Sequence, residues 1–453
     1  MTIGCKLGLP NLQWYCVLAR RLAQLQDEDG SGPVLATLSV PLFTHRRMFP
    51  LSGDGVKSEE EEAADGAVSY APYSDGLDDG TRATDPDERA RRRRASSKSL
   101  AAVVARLAAR GRPVTCVVCS LILPSISSTL HAADPAFEVT LPGLRRPLRI
   151  RDFPSFLVDT TGTEMGKIVN DAVRELFQFM DQQGPSTQVL VNTFEGLEPA
   201  ALAAMRQHLD VLAVRPVLDS SSEARIHLFD HAGAAEYMQW LGAQPETSVV
   251  YISFGSVWTY NKRQMEEIAH GLRQCGRPYL LVVRKDGRQE DVSRCLDGVV
   301  REGQGLVVEW CDQPAVLSHP SVGCFVMHCG WNSTLEAVAL GVPVVAVPSM
   351  FDQPTNAFLI EEEWAGGVRG ERNGEGAFAG AELARCVEMV MDGGARAVEI
   401  RERVEALKGT TREAMSSGGP AERSLRSFVM ATKVTDKSCT KDTTIPPTML
   451  ESI

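Results

Sequence analysis

The second half of the chain alternates short apolar runs with segments of helical periodicity. Five of these runs are continuously apolar rather than alternating with polar positions. They are residues 248–256, 278–284, 305–310, 323–328 and 342–348. Strands that are buried on both faces show this pattern, which predicts a parallel, doubly wound sheet. The helix after the fourth run is predicted to end at Gly341, with Pro343 just beyond it.

The first half shows a similar alternation with less regular spacing. Its pattern predicts a helix over residues 99–111, strands over 114–123 and 188–194, and a helix over 198–209. Alternating helices and strands are typical of an α/β layer fold. The whole chain is therefore predicted to contain two α/β domains.

Residues 50–100 interrupt this pattern with charge and turn-forming residues. They contain an acidic run at 59–62, a turn-rich stretch at 70–80 and a basic run at 89–94. Such runs indicate solvated loops or helix faces. The arginines also match a nuclear signal, but the acidic residues before them and the acidity of the chain favour a charged surface helix.

Turn-forming residues between about 200 and 245 indicate a domain boundary, and the last residues are polar and rich in Pro and Thr. The division predicted from these features has five parts. They are a first domain at 1–215, a linker at 216–243, a second domain at 244–415, a C-terminal helix at 416–434 and a disordered tail at 435–453.

Composition narrows the class of protein. The 453 residues include 47 Lys and Arg against 58 Asp and Glu, a net charge of −11 that argues against a nucleic-acid partner. No apolar run reaches 18 residues, no secretory signal is recognisable, and the 11 cysteines lack the spacing of a disulfide framework. These features predict a cytoplasmic protein with reduced thiols and no membrane span.

Chemistry-bearing residues gather where the predicted strands of the second half end. Ligands of open α/β sheets bind in the crevice beyond the carboxyl ends of the strands. Four strand ends supply residues to this crevice. They are Phe254, Gly255 and Ser256; Trp310, Cys311 and Gln313; His328, Cys329 and Gly330; and Asp352 and Gln353.

The fourth strand and its helix predict a site for a nucleotide diphosphate. The strand ends at His328, Gly330 permits a tight turn, and Asn332 and Ser333 fall in the first turn of the helix. The free N–H groups and positive dipole of a helix start bind phosphate. Glu336 lies one turn deeper on the face of Asn332, where a carboxylate accepts hydrogen bonds from two ribose hydroxyls. No GxGxxG motif follows a predicted strand and no GxxxxGK[ST] motif is present, which argues against a dinucleotide site and against a P-loop.

The segment from Trp310 to Gln353 resembles the signature box of the plant secondary-product UDP-glycosyltransferases, glycosyltransferase family one. Further similarity lies at residues 68–80, 189–198, 250–257 and 416–429, so the resemblance covers most of residues 35–430. The pattern is closest to the branch of anthocyanin 5-O-glucosyltransferases and glucose-ester-forming enzymes. It implies the GT-B fold, in which an N-terminal acceptor-binding domain faces a C-terminal domain that binds the UDP-sugar.

The resemblance also implies roles for individual residues. Trp310 stacks on the uracil, Cys311 is also assigned to the donor site, and Gln313 and Glu336 contact the ribose. The diphosphate is held by His328, Gly330, Asn332, Ser333 and the backbone near Ser256. Trp331, Asp352 and Gln353 contact the sugar, and Gln at the last position is associated with glucose donors. The implied reaction inverts the anomeric carbon, needs no metal or cofactor, and is carried out by a monomer on a small hydrophobic acceptor.

The N-terminal domain departs from the family pattern in three places. The stretch LGLPNLQWYCVLARRLAQL lacks the histidine that serves as general base in the family, and the opening strand before it is expected to be missing. Ser120 occupies the position of the Asp that orients this histidine. After Pro124, several tens of residues of the family pattern are absent. The domain is therefore expected to be incomplete, and no catalytic residue is assigned.

Three functions remain open at this point. The first is transfer of glucose from UDP-glucose to a flavonoid or anthocyanin hydroxyl, or to the carboxylate of a hormone or phenolic acid. The second is a catalytically impaired homologue that binds the sugar nucleotide without the general base. The third, an interaction module based on the charged residues 50–100, has only composition in its favour.

Overall fold

The structure is a computed structural model. It describes residues 2–4, 9–25, 34–49, 62–66, 68–79, 86–112, 114, 117–118, 137–141, 143–158, 188–214, 234–255, 261–284, 304–374 and 376–438.

The first half is built on a five-stranded sheet with three helices. The strands are β1 (Thr2–Gly4), β2 (Ala36–Pro41), β3 (Ala63–Asp65), β4 (Val68–Tyr73) and β5 (Val117–Val118), and the helices are α1 (Leu9–Gln24), α2 (Leu42–Met48) and α3 (Pro86–Ala109). The sheet order is β3-β4-β2-β1-β5, and every pairing is parallel except that of β3 with β4.

Two expectations for this half are wrong. The opening strand is present as β1, which lies between β2 and β5, because three residues suffice for pairing on both sides. Tyr70–Tyr73, assigned to a turn-rich stretch, belong to the buried strand β4. By contrast, the charged surface helix is confirmed, since α3 includes the basic run and leaves Arg91 and Arg94 exposed.

A middle region links this sheet to the second half. Its elements are β6 (Glu138–Val139), β7 (Leu148–Arg149), a 3₁₀ turn (Ile150–Asp152), α4 (Ser155–Val158), β8 (Gln188–Val191), α5 (Pro199–Met205) and β9 (Asp210–Ala213). β8 and β9 form a separate parallel pair, and no strand among the described residues joins them to β5. The segment after Pro124, where family residues are expected to be absent, lies outside the described residues.

The second half is a six-stranded parallel sheet, as its continuous apolar runs predict. The strands are β10 (Val249–Ser253), β11 (Tyr279–Val282), β12 (Gly305–Val308), β13 (Val322–Met327), β14 (Val344–Ala346) and β15 (Gly367–Arg369). The order is β12-β11-β10-β13-β14-β15. β15 is a strand of three residues that the apolar pattern did not predict.

Helices cover both faces of this sheet. They are α6 (Ala234–Gly242), α7 (Lys262–Cys275), α8 (Gln313–Leu317), α9 (Trp331–Leu340), α10 (Gln353–Phe358), α11 (Gly380–Met391), α12 (Ala395–Met415) and α13 (Pro420–Ser438), with a π-helical turn (Leu359–Glu363) after α10. Val250 and Ile252 enter the cluster with α7 and α11, whereas Val249 and Tyr251 enter the one that contains α9. Alternate strand residues therefore enter different clusters, as in a doubly wound sheet.

The boundaries at the end of the chain differ slightly from those expected. α13 continues to Ser438, past the predicted helix end at 434, and residues 439–453 lie outside the described part. α6 falls inside the predicted linker at 216–243. Within the described residues, no helix has both the length and the apolar character needed to cross a bilayer.

Candidate active site

The carboxyl ends of the parallel strands bring the candidate residues together. Gly255 follows β10, Trp310 and Cys311 follow β12, and His328 follows β13. β10 and β13 are neighbours in the sheet, so their ends are adjacent. Ser256 lies outside the described residues, but Gly255 directly before it contacts the site.

Helix α9 begins at the end of β13 with its first turn free of a side-chain cap. Gly330 is the N-cap residue, and Asn332 and Ser333 lie in the first turn, as the sequence predicts. The helix ends at Gly341, whose φ of 71° is left-handed. A helix start without a side-chain cap offers backbone N–H groups to an anion.

His328 is enclosed between two glycines. A Cβ on Gly255 or on Gly330 would lie 2.6 Å from an atom of the imidazole ring, so both positions need glycine for this ring to fit. Burial lowers the pKa of His328 to about 4, and its Nδ1 has no hydrogen-bond partner among the described residues. The imidazole is therefore neutral near pH 7, and it can contact a diphosphate by a hydrogen bond rather than as a cation.

Acid should destabilise the fold through His328. Its pKa is about 4 when folded and near the ordinary 6.5 when unfolded. The unfolded chain then binds the proton more readily, so the free energy of unfolding falls as pH drops from about 6.5 to about 4. Urea unfolding of the wild type and of His328→Gln at about pH 7 and about pH 4.5 measures this contribution. An equal loss of stability in both proteins would contradict it.

A hydrogen-bond network joins β10, α8 and α9 around the predicted ribose carboxylate. Gln313 Nε2 donates to Glu336 Oε2 at 2.6 Å and to Ser333 Oγ at 2.9 Å. Tyr251 donates its hydroxyl hydrogen to Gln313 Oε1 at 3.2 Å. Gln313 and Glu336, both assigned to the ribose, are thus bonded to each other, and Gln313 fixes where the carboxylate lies.

The assignment of Cys311 to the donor is not supported by its surroundings. Its side chain is buried, its Sγ lies 3.2 Å from the Tyr251 hydroxyl, and burial raises the pKa of the thiol to about 12. It packs beneath the network as a neutral thiol. Trp310, the residue before it, is only half-buried at the edge of the crevice.

Asp352 is the last residue of the loop between β14 and α10, and Gln353 is the first residue of α10. Gln353 Oε1 accepts from the backbone N–H groups of Ser349 at 3.0 Å and Met350 at 3.1 Å, so only its NH₂ group remains to serve a ligand. Asp352 accepts from Asn356 Nδ2 at 2.9 Å, and burial raises the pKa of its carboxyl. Asp352 can then supply hydrogen-bond acceptors to a ligand and Gln353 hydrogen-bond donors.

Asn192, which sequence analysis did not identify, connects the first half to the start of α9. Its backbone oxygen accepts from the Trp331 indole at 2.7 Å, and its Nδ2 donates to Asn332 Oδ1 at 3.1 Å. The resemblance assigns Trp331 to the sugar, but its indole N–H donates to the backbone oxygen of Asn192. Because Asn332 turns its oxygen towards Asn192, its NH₂ group points elsewhere.

The described residues of the first half place no histidine where the family pattern has its general base. Residues 9–11, where the family histidine is expected, form the first turn of α1. His45 is fully buried in α2 and its ring lies 5.2 Å from that of Phe49. Ser120 and His131 lie outside the described residues.

Comparison with known proteins identifies the family of this chain. Residues 187–397 match the family described as UDP-glucoronosyl and UDP-glucosyl transferase. A chloroplastic crocetin glucosyltransferase of Gardenia jasminoides is 35% identical over 87% of this chain and 91% of its own. An anthocyanidin 3-O-glucoside 5-O-glucosyltransferase of Verbena hybrida is 34% identical over 91% of this chain and 94% of its own. The chain belongs to the plant UDP-glycosyltransferases.

The fold of this UDP-glycosyltransferase is confirmed by a solved relative. The crystal structure of Os79 from O. sativa in complex with UDP superposes with a TM-score of 0.77 at 26% identity, covering 95% of this chain and all of the other. The GT-B expectation is thereby confirmed. The protein is an enzyme, and its family transfers glycosyl groups from UDP-sugars.

Proposed function

We propose that this enzyme transfers glucose from UDP-glucose to a small hydrophobic acceptor, with inversion at the anomeric carbon. The acceptor is a flavonoid or anthocyanin hydroxyl, or the carboxylate of a phenolic acid or hormone. The acceptor oxygen attacks the carbon that bears the UDP, a new C–O bond forms, and UDP leaves with the electrons of the broken bond. The relatives named above are glucosyltransferases, which supports glucose as the sugar.

The observation that carries the proposal is the carboxylate of Glu336, held by Gln313 one turn below the uncapped start of α9. A ribose over Glu336 places its diphosphate over the backbone N–H groups of the helix start. In this pose, His328, Asn332 and Ser333 surround the diphosphate, and Trp310 stacks on the uracil. Repulsion between Glu336 and the phosphates is avoided by the intervening turn of helix.

Residues 347–353, which include Asp352 and Gln353, are hereafter called the sugar loop. Their chemistry predicts that the enzyme prefers a neutral hexose. The carboxylate of Asp352 accepts from hydroxyls and the amide of Gln353 donates to them. Arg372 is a cation that the structure brings to this loop and that sequence spacing did not reveal, but its guanidinium donates to the Pro348 and Gly376 carbonyl oxygens. We expect tighter binding of UDP-glucose than of UDP-glucuronate in calorimetric titrations. The reverse order would remove Asp352 and Gln353 from sugar recognition.

The proposal is tested by separating donor binding from turnover. UDP and UDP-glucose are titrated into the purified full chain, and release of UDP is then followed with a panel of phenolic acids and flavonoids. Identification of the glucoside by mass spectrometry gives the acceptor group. Absence of UDP-glucose binding would refute the function, whereas binding without product would indicate the impaired homologue.

This impaired homologue is the second candidate, and one observation favours it. The segment that resembles the base-bearing turn of the family contains no histidine, and His45 is inaccessible in the core. A hydroxyl acceptor must lose its proton as it attacks, so the missing base affects turnover and not donor binding.

We also propose that the enzyme acts in the cytoplasm as a monomer and without a metal ion or other cofactor. The support for the last point is the chemistry, in which the helix start and neutral hydrogen-bond donors stabilise the leaving diphosphate.

A further inference from the structure

The sugar loop is held by a segment from the other half of the chain. Ser155, the first residue of α4, makes two hydrogen bonds to Phe351. The backbone N–H of Phe351 donates to Ser155 Oγ at 2.7 Å, and the backbone N–H of Ser155 donates to the Phe351 carbonyl at 2.8 Å. Phe351 immediately precedes Asp352, so the pairing acts directly on the residues proposed to contact the sugar.

The backbone at Phe351 needs this external support. Its φ of 58° is left-handed, a conformation that costs free energy for a residue with a large side chain. The pairing with Ser155 satisfies both backbone groups of Phe351 while it holds that conformation.

A second set of contacts fixes the segment that carries Ser155. Asp152 is 3% exposed and forms an ion pair with Arg369 at 2.7 Å, at the end of β15. Its backbone oxygen accepts from Thr355 Oγ1 at 2.7 Å, in α10. Arg369 also donates to the Arg151 carbonyl at 2.9 Å. The segment is thus attached to α10 and to the end of β15, which both follow the sugar loop in the chain.

Apolar contacts extend this attachment. Leu148 and Phe153 are buried against Phe358 of α10, and Leu359 packs at the edge of the same cluster. Further along, the backbone N–H of Arg145 donates to the buried Glu363 carboxylate at 2.8 Å. The helix that begins at Gln353 therefore rests on residues 144–158 along its length.

We propose that Ser155 is a positioning residue for the donor sugar, and that residues 150–155, hereafter the sugar-loop clamp, make recognition of glucose depend on the first half of the chain. The inference rests on the proposed use of Asp352 and Gln353. The uridine and diphosphate contacts are assigned to α8, α9 and His328, whereas the hydrogen bonds of the clamp described above go to Phe351, Thr355 and Arg369. The clamp thus affects the sugar and not the nucleotide.

The test compares UDP with UDP-glucose in the full-length protein. Ser155→Ala removes the bond to the Phe351 N–H but keeps the reciprocal backbone bond, so the fold is expected to persist. We expect unchanged UDP affinity and a KM for UDP-glucose raised about 3- to 10-fold, the loss of one hydrogen bond. Thr355→Val, which removes the bond to the Asp152 carbonyl, is expected to act in the same direction.

Two controls separate positioning from general loosening. Ser155→Thr keeps the hydroxyl and is expected to retain the wild-type KM. Ser248→Ala removes another serine hydrogen bond, which Ser248 Oγ donates to the Pro245 carbonyl at 2.7 Å just before β10, and is expected to change neither affinity.

Three results would overturn the inference. One is an equal loss of UDP and UDP-glucose affinity in Ser155→Ala, which indicates a structural role only. Another is no change in either affinity in both Ser155→Ala and Thr355→Val. The third is a wild-type protein that binds UDP-glucose no more tightly than UDP and does not turn it over. This result would refute the proposed function together with the clamp.

Discussion

Carboxylic acids are expected to be glucosylated by this enzyme far more readily than flavonoid hydroxyls. A phenol or alcohol must give up its proton during attack, and a positioned base contributes about 10²- to 10⁴-fold to such a step. A carboxylic acid with a pKa near 4 is already ionised at neutral pH and needs no base. Release of UDP measured side by side with an aromatic acid and a flavonoid checks the expectation.

A variant can restore the missing group. Asn11 lies in the first turn of α1, which follows β1 just as α9 follows β13. Asn11→His is expected to increase turnover of the flavonoid more than that of the acid, and Asn11→Gln serves as the matched control. Rapid flavonoid glucosylation by the unmodified protein would mean that another group removes the proton.

Glu336→Ala is expected to weaken UDP binding by about 10- to 100-fold. The substitution removes charge-assisted hydrogen bonds to the ribose, worth about 1.5–3 kcal/mol. It also leaves Gln313 Nε2 without its partner at 2.6 Å. Calorimetry with UDP gives the loss in affinity.

Two comparisons make this measurement specific for the ribose. The wild type should prefer UDP to 2′-deoxy-UDP, and this preference should disappear in Glu336→Ala. Glu266→Ala removes a carboxylate from the exposed face of α7, where it pairs with Lys262 at 3.7 Å, and should bind UDP normally. Wild-type affinity in Glu336→Ala would exclude the ribose contact.

The sequence predicted the donor half better than the first half, for a physical reason. Strands buried on both faces are continuously apolar, so β10 to β14 stand out, and a parallel sheet places their ends together. β1 has only three residues, too few for a periodic signal. The apolar run at Val68–Tyr73 is interrupted by Pro72, which suggested a turn, although the strand forms regardless.

Residues missed in the site come from distant parts of the chain. Tyr251 could have been suspected, because a hydroxyl inside a buried strand needs a polar partner. Asn192 and Ser155 gave no such signal, since their roles depend on contacts with Asn332 and Phe351 that only the folded chain creates. Sequence reasoning identified the residues proposed to face the ligand but not those that hold them in place.

The contacts of Asn192 with Trp331 and Asn332 have a thermodynamic consequence. A ligand that orders the start of α9 also strengthens the attachment of β8, because coupling between two sites acts equally in both directions. Bound UDP therefore stabilises the folded first half as well. This stabilisation grows with the logarithm of the UDP concentration above the Kd. Substitutions that loosen β8 and β9 would then be better tolerated in cells that hold more sugar nucleotide.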